Sequence, residues 1–371
     1  DRDVTGVQTC ALPICLANSA LSRVLDGVEP SPLVRTGMDL AFEVIGGVVS
    51  PVYHRAVNMQ RQMRDYVVAG NDMEFTFFLD RVPAIRRKST DELFRFTASS
   101  FAQVVDRLGM GAVAYLKKCM RVGEYDLVQK NMNRWLFRNA DRQFRLRILG
   151  DDIRGFLSSR YSAFDHADAL ECLYDALGDS VDRFVIESYS ITPDNMQLRL
   201  VDPDQVIVKD VGGGSDVSTA GLILRNGQTG WSSLSVEFLI YTFACTHGLI
   251  VSSDRGQVYV RKHIQIAKEA FTDELGEALK QFPAYASSAR TSLEKARLVR
   301  LDVENHLQLL ERTRKSLSVG EETLELLVET MHRDWDATLW GFAGAITQVA
   351  QTLGNAERQY VFEKYAGTLL D

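Results

Sequence analysis

Arg145 and Arg147 stand two residues apart in Phe144-Arg-Leu-Arg-Ile-Leu149, and Arg154, Arg160 and Tyr161 follow shortly after. Apolar and basic residues alternating with period two mark a strand with one buried face and one basic face. Alternate side chains on such a strand project about 7 Å apart, close to the phosphate spacing along a single nucleic-acid strand. Guanidinium groups suit bidentate phosphate contacts, and an aromatic ring stacks on any base. Arg145, Arg147, Arg154, Arg160 and Tyr161 are therefore the candidate nucleic-acid-binding residues. Lys117, Lys118, Arg261 and Lys262 extend the track. A second reading stays open, in which Arg154 and Arg160 pair locally with Asp151, Asp152 and Asp165 and Tyr161 is a core ring.

Other chemistry is sparser. Asp151-Asp152 offers two carboxylates to a divalent metal, the basis of a metal-dependent nuclease reading, but no third ligand lies at a helpful spacing. Cys245 and His247 would share a strand face, yet two ligands do not close a site. No Gly-x-Ser-x-Gly, His-Glu-x-x-His or paired Cys-x-x-Cys occurs. Gly212-Gly-Gly214 lacks the Gly-Lys-Ser/Thr ending of a phosphate loop and reads as a flexible loop. No catalytic residue, cofactor or metal ligand is assigned, and the balance favours a non-enzymatic protein.

The charge distribution points the same way. Arg81 to Arg160 holds 17 Lys or Arg against 8 Asp or Glu, a net +9, so the rest of a chain of net charge −7 carries −16. A basic block in an acidic chain is the footprint of a polyanion-binding face. Val4 to Ile14 reads as a translated sequencing adapter, so residues 1–15 are set aside as an assembly artefact of metagenomic origin. Cys119, Cys172 and Cys245 are odd in number and set among apolar residues, the pattern of free thiols in a reducing cytoplasm. No apolar run is long enough to span a bilayer.

The elements that must carry these residues read as an α+β fold, mainly antiparallel sheet packed with helices and followed by a helical C-terminal region. Residues 16–72 are poorly readable, 73–263 form the α+β core domain and 264–371 the helical region. Strands are expected at Met73–Leu79, Phe144–Leu149, Phe184–Ile191, Met196–Leu200, Val206–Lys209, Ala220–Arg225, Leu234–Phe243 and Gln257–Val260. Asn226-Gly227 is the expected hairpin turn. Helices are expected from Ser89 or Thr90 to Leu108, over Ala112–Met120 and Tyr125–Phe137, and from an Asp165 cap to Leu177. Leu293, Ala296, Arg300, Val303, Leu307, Leu310, Arg314 and Leu317 make a heptad-like seam, which reads first as a long helix packed on its own neighbours and second, against the two arginines on the seam, as a surface for homo-oligomers of the C-terminal helices. Ser318 with Glu321 reads as a capping box opening the next helix.

Several segments together resemble the family called domain of unknown function 932, the phage/plasmid-like proteins. They are Arg145-Leu-Arg-Ile-Leu-Gly to Leu157-Ser-Ser-Arg-Tyr161; Gly221-Leu-Ile-Leu-Arg-Asn226 with Gly230 and Ser233-Leu234; Tyr241-Thr-Phe-Ala-Cys245 with Gly248-Leu-Ile250; and Leu339-Trp340, Ala345-Ile-Thr347 and Ala366-Gly367. The resemblance covers roughly Ser99 to Leu370. His247 stands where that family has Asn, and Gly227-Gln228 where Ser-Glu is common. What the resemblance implies is a setting on mobile elements: DNA metabolism, counter-defence or replication support. The resulting expectation is a phage- or plasmid-type protein that binds single-stranded nucleic acid and assists annealing or recombination. The runner-up is an interaction or counter-defence protein that engages a host protein through its acidic helical region.

Overall fold

The computed structural model describes residues 51–208, 218–242, 247–250, 257–263, 267–333 and 337–370. The suspected adapter, the Gly212–Gly214 segment and Cys245 lie outside the described residues, and of His247 only the backbone is described.

The first of two sheets holds β1 (Met63–Ala69), β2 (Met73–Phe77), β3 (Pro83–Arg87), β4 (Leu93–Phe96), β5 (Gln143–Leu149) and β6 (Asp152–Ser158), in the order β1-β5-β6-β4-β3-β2. Its pairings are antiparallel except β4 with β6, which is parallel. The chain reaches β6 from β4 through three helices, α2 (Ala98–Arg107), α3 (Val113–Arg121) and α4 (Tyr125–Arg138), and then β5. These helices cover one face of the sheet, where Phe75, Ile85, Phe94, Phe96, Phe144 and Phe156 pack against Phe101, Val104, Leu116 and Met132. Thr97 caps α2 with a reciprocal bond pair to Ser100. Leu93 and Phe94 therefore belong to a strand rather than to the helix expected from Ser89 or Thr90. Gly150, at φ 63°, makes the tight turn that joins β5 to β6, a backbone state glycine enters without a Cβ clash.

The second sheet runs β11 (His247–Ile250), β10 (Leu234–Thr242), β9 (Ser218–Gly227), β8 (Asn195–Val208), β7 (Val185–Ile191), and β12 (Gln257–Arg261) shares the β10 edge with β11. The strands expected at 196–200 and 206–209 are one bulged strand, β8. Every residue of β9 and β10 is buried, because helices cover both faces. On one side lie α1 (Pro51–Gln62), α5 (His166–Leu177), α6 (Lys268–Leu279) and α7 (Phe282–Leu298), against Leu198, Leu200, Leu222, Leu224, Val236 and Phe238. On the other lie α10 (Leu339–Thr352) and α11 (Ala356–Thr368). There the strands present polar residues. Arg199 donates from both Nη atoms to Glu363, at 2.9 and 2.6 Å, and Gln359 also donates to that carboxylate. Glu237 accepts from Tyr360 and from Lys364, and Arg225 pairs with Glu357. Burial pushes the Glu363 carboxyl up, against the pull of Arg199.

The remaining helices are α8 (Val303–Leu317) and α9 (Glu321–Arg333). The heptad seam does not run through one helix: α7 stops at Leu298 and Asp302 caps α8. Leu293, Ala296 and Leu317 are core, whereas Val303 and Leu307 are exposed. Ser318 sits in the left-handed region at φ 49° and closes α8. Two mainly antiparallel sheets packed with helices make the architecture α+β, ending in a helical C-terminal region. No helix among the described residues is long and apolar enough to cross a membrane.

Candidate nucleic-acid interface

β5 does alternate as expected, with Phe144, Leu146 and Ile148 in the core. Its opposite face is not free, and this corrects the solvent-facing basic ribbon read from the sequence. The connection from β9 to β10 seats against it: Gly230, at φ 78°, lies so close to Leu157 that a Cβ there would stand 2.6 Å from Leu157 Cδ2. Arg147 is 1% exposed. Its guanidinium donates from Nε to Asp65 at 3.0 Å, from Nη1 to the Gln228 carbonyl at 3.0 Å and from Nη2 to Asp165. Tyr161 is buried and donates to the same Gln228 carbonyl at 2.8 Å. Arg145 pairs with Asp65 at 3.3 Å, and Arg154 forks onto Asp194 at 2.7 and 3.2 Å. Arg261 is exposed but held by both oxygens of Glu274 at 2.9 Å. Arg145, Arg147, Arg154, Arg261 and Tyr161 thus hold the fold together and do not converge on one open surface. Asp152 is paired as well, with Arg95 across the parallel strands at 3.0 Å. Among the described residues no three His, Cys, Asp or Glu side chains converge in a way that could hold a metal ion.

Two histidines lie buried in this seam between the sheets. His166 Nε2 stands 3.1 Å from the Thr192 carbonyl and Nδ1 3.2 Å from the Asn226 amide nitrogen. That assigns the proton to Nε2, with Nδ1 accepting from the amide. Burial lowers His166 to about 3 and His263 to about 4. Both are neutral in the fold, while an unfolded chain takes up protons below about pH 6.5. Their contribution to stability is therefore complete above pH 6.5 and drains away as the pH falls towards 4, at about 1.4 kcal/mol per unit per histidine. Urea unfolding at pH 7 and pH 5 should show wild type losing about 2 kcal/mol more than His166→Gln, by the same linkage. Equal losses would mean that His166 is not buried neutral.

The exposed cations lie instead on the helical layer. Leu116 and Cys119 of α3 and Val128, Met132 and Leu136 of α4 face the core, and the remaining faces point outward. They carry Lys117, Lys118 and Arg121 on α3, and Lys130, Arg134 and Arg138 on α4, all exposed. None makes an ion pair among the described residues, whereas the arginines of β5 and β6 all do. Apolar groups are interleaved: Tyr115 is 49% exposed and Phe137 75%. Arg138 lies over the Trp135 ring at 5.0 Å. Spacings of four, Lys117 to Arg121 and Lys130 to Arg134 to Arg138, align these side chains along each helix. Acidic residues on the two helices and their turn are limited to Glu124 and Asp126. α3 packs on α4, which sets the two helices side by side in this layer.

Lys117 and Lys118 are thus the expected residues that this layer carries. Arg121, Lys130, Arg134 and Arg138 were not singled out from sequence, although their helical spacing was readable. Arg160 and Lys262 are exposed without ion pairs among the described residues, beside the seam.

No curated protein and no solved structure matches the chain. The family described as domain of unknown function (DUF932) matches residues 155–363. That is narrower than the Ser99–Leu370 resemblance: it opens within β6 and leaves α3 and α4 outside. It takes in the seam residues Tyr161, Asp165 and Asn226, the second sheet and the helices up to α11. Since the match spans more than half of the 371 residues, the chain belongs to the DUF932 family.

Proposed function

We propose that this is a non-enzymatic nucleic-acid-binding protein of phage or plasmid type, which binds single strands through the outer face of α3 and α4 and assists annealing or recombination. One observation carries the reading: six exposed cations without carboxylate partners among the described residues, set among exposed aromatic rings. Such a surface offers charge to phosphates and π-faces to unstacked bases. Each unpaired cation that neutralises a phosphate also displaces a counter-ion condensed on the nucleic acid, which makes affinity steeply salt-dependent.

Fluorescence anisotropy of a labelled oligothymidylate across a salt series tests it. Each single-strand phosphate contact adds about 0.7 to the slope of log affinity against log salt. The Lys117→Ala, Lys118→Ala, Lys130→Ala, Arg134→Ala variant should therefore bind with a slope shallower by about 3 units, while its thermal unfolding stays close to wild type. An unchanged slope, or no binding of wild type at low salt, would overturn the reading. The second of those outcomes favours the runner-up, contact with a host protein through the helical region. Exposed Leu298, Val299, Val303 and Leu307 lend that alternative its support.

A further inference from the structure

The seam between the sheets holds more buried polar groups than it satisfies. Asn226, Gln228, Thr229 and His263 are each at most 3% exposed. Among the described residues, the Asn226 Oδ1, both amide atoms of Gln228, the Thr229 hydroxyl and both ring nitrogens of His263 have no hydrogen-bond partner. A buried imidazole must donate from one nitrogen and accept at the other, and a buried primary amide left bare on both sides is costly. These groups belong to one neighbourhood. Tyr161 bonds the Gln228 carbonyl and stacks on His263, with ring centroids 5.3 Å apart and planes 20° from parallel. Asn226 bonds His166 and the Phe164 carbonyl, and Phe164 lies 6.4 Å from the His263 ring.

Charge in the seam is already settled, since Arg147 is matched by Asp65 and Asp165. What is left over is neutral and mixed: amide, hydroxyl and imidazole groups that can donate and accept, near the stacked Tyr161 and His263 rings. That is the complement of a nucleobase edge, which a glutamine amide can meet in two places at once. Phosphate partners stand next in the chain. Arg160 precedes Tyr161, Lys262 precedes His263, both are exposed, and the Ser162 N–H to His263 carbonyl bond ties the two segments together at 3.1 Å.

We propose that this seam is a mononucleotide site, in which Gln228, Asn226 and His263 read the base edge and Arg160 and Lys262 hold the phosphate. It does not depend on the α3–α4 face, and a different readout tests it. Thermal unfolding of the full chain is followed with millimolar AMP, GMP, CMP or UMP, and with the matching nucleosides. At least one nucleotide should raise Tm by about 3 °C or more, the mass-action result of saturating a folded-state site. Gln228→Leu should abolish the shift while leaving unliganded Tm unchanged or higher, because it removes an amide without partners. Arg160→Glu with Lys262→Glu should abolish the extra shift of the nucleotide over its nucleoside. Equal binding of nucleoside and nucleotide would overturn the phosphate assignment. Absence of any shift, or a shift that Gln228→Leu retains, would overturn the site and leave the polar atoms to trapped water. Oligonucleotide binding lost by the α3–α4 variant would stand in either case.

Discussion

Arg147→Ala should lose about 3–5 kcal/mol of stability, the usual result of leaving a buried charge without its partner. Arg145→Ala, two residues away on the same strand, should lose no more than about 1 kcal/mol, as pairs that stay in contact with water do. The contrast follows from position. Arg145 and Asp65 keep about a quarter of their side chains in water, whereas Arg147 sits dry at the seam and satisfies Asp65, Asp165 and a backbone carbonyl at once. Its removal strands the Asp165 carboxylate, which burial already pushes up and only the guanidinium pulls back. Arg147→Lys should recover only part of the loss, since an ammonium cannot span three acceptors set around a planar fork. Urea midpoints of the three variants decide it. If Arg147→Ala unfolds within about 1 kcal/mol of wild type, the seam does not depend on this side chain.

Glu363→Ala should be comparably severe, again about 3–5 kcal/mol, because the buried Arg199 would lose the carboxylate that both its Nη atoms bond. The double change Arg199→Met with Glu363→Met should restore most of that stability, since volume-matched apolar pairs often replace buried ion pairs without cost. A double variant no better than the single would show that the pair stabilises beyond its own desolvation. Tryptophan fluorescence during denaturation is a suitable probe, because Trp340 is buried on α10 beside α11.

Much of the secondary structure was legible. The boundaries of α3, α4, α5 and β5 fall within about two residues of those expected, because caps and strict periodicity act locally. Environment was less so. Period two placed Arg147 on the outer face of β5 correctly, but an outer face counts as solvent only until a distant segment covers it, and Gln228 does so from 81 positions away. β6 escaped notice because Gly155, Phe156 and Leu157 are buried on both faces and leave no alternation. The heptad count ran through Val299–Asp302 because spacing alone does not register a capped break. Charge was misjudged for a related reason: the basic block was weighed on the strand, where acids from elsewhere meet it, while the helices that keep their cations free were treated as an extension.

The parallel β4–β6 pair has a practical consequence for recombining this protein with its relatives. β6 gives Phe156 to the core under α2–α4 and Leu157 to the packing with Gly230. A breakpoint placed where the family match begins would cut through a strand that packs on both the helical layer and the β9–β10 connection. Chimaeras joined there should mispack the first sheet against both neighbours, so a swap must carry β1 to β6 as a block together with the β9–β10 connection that closes over it.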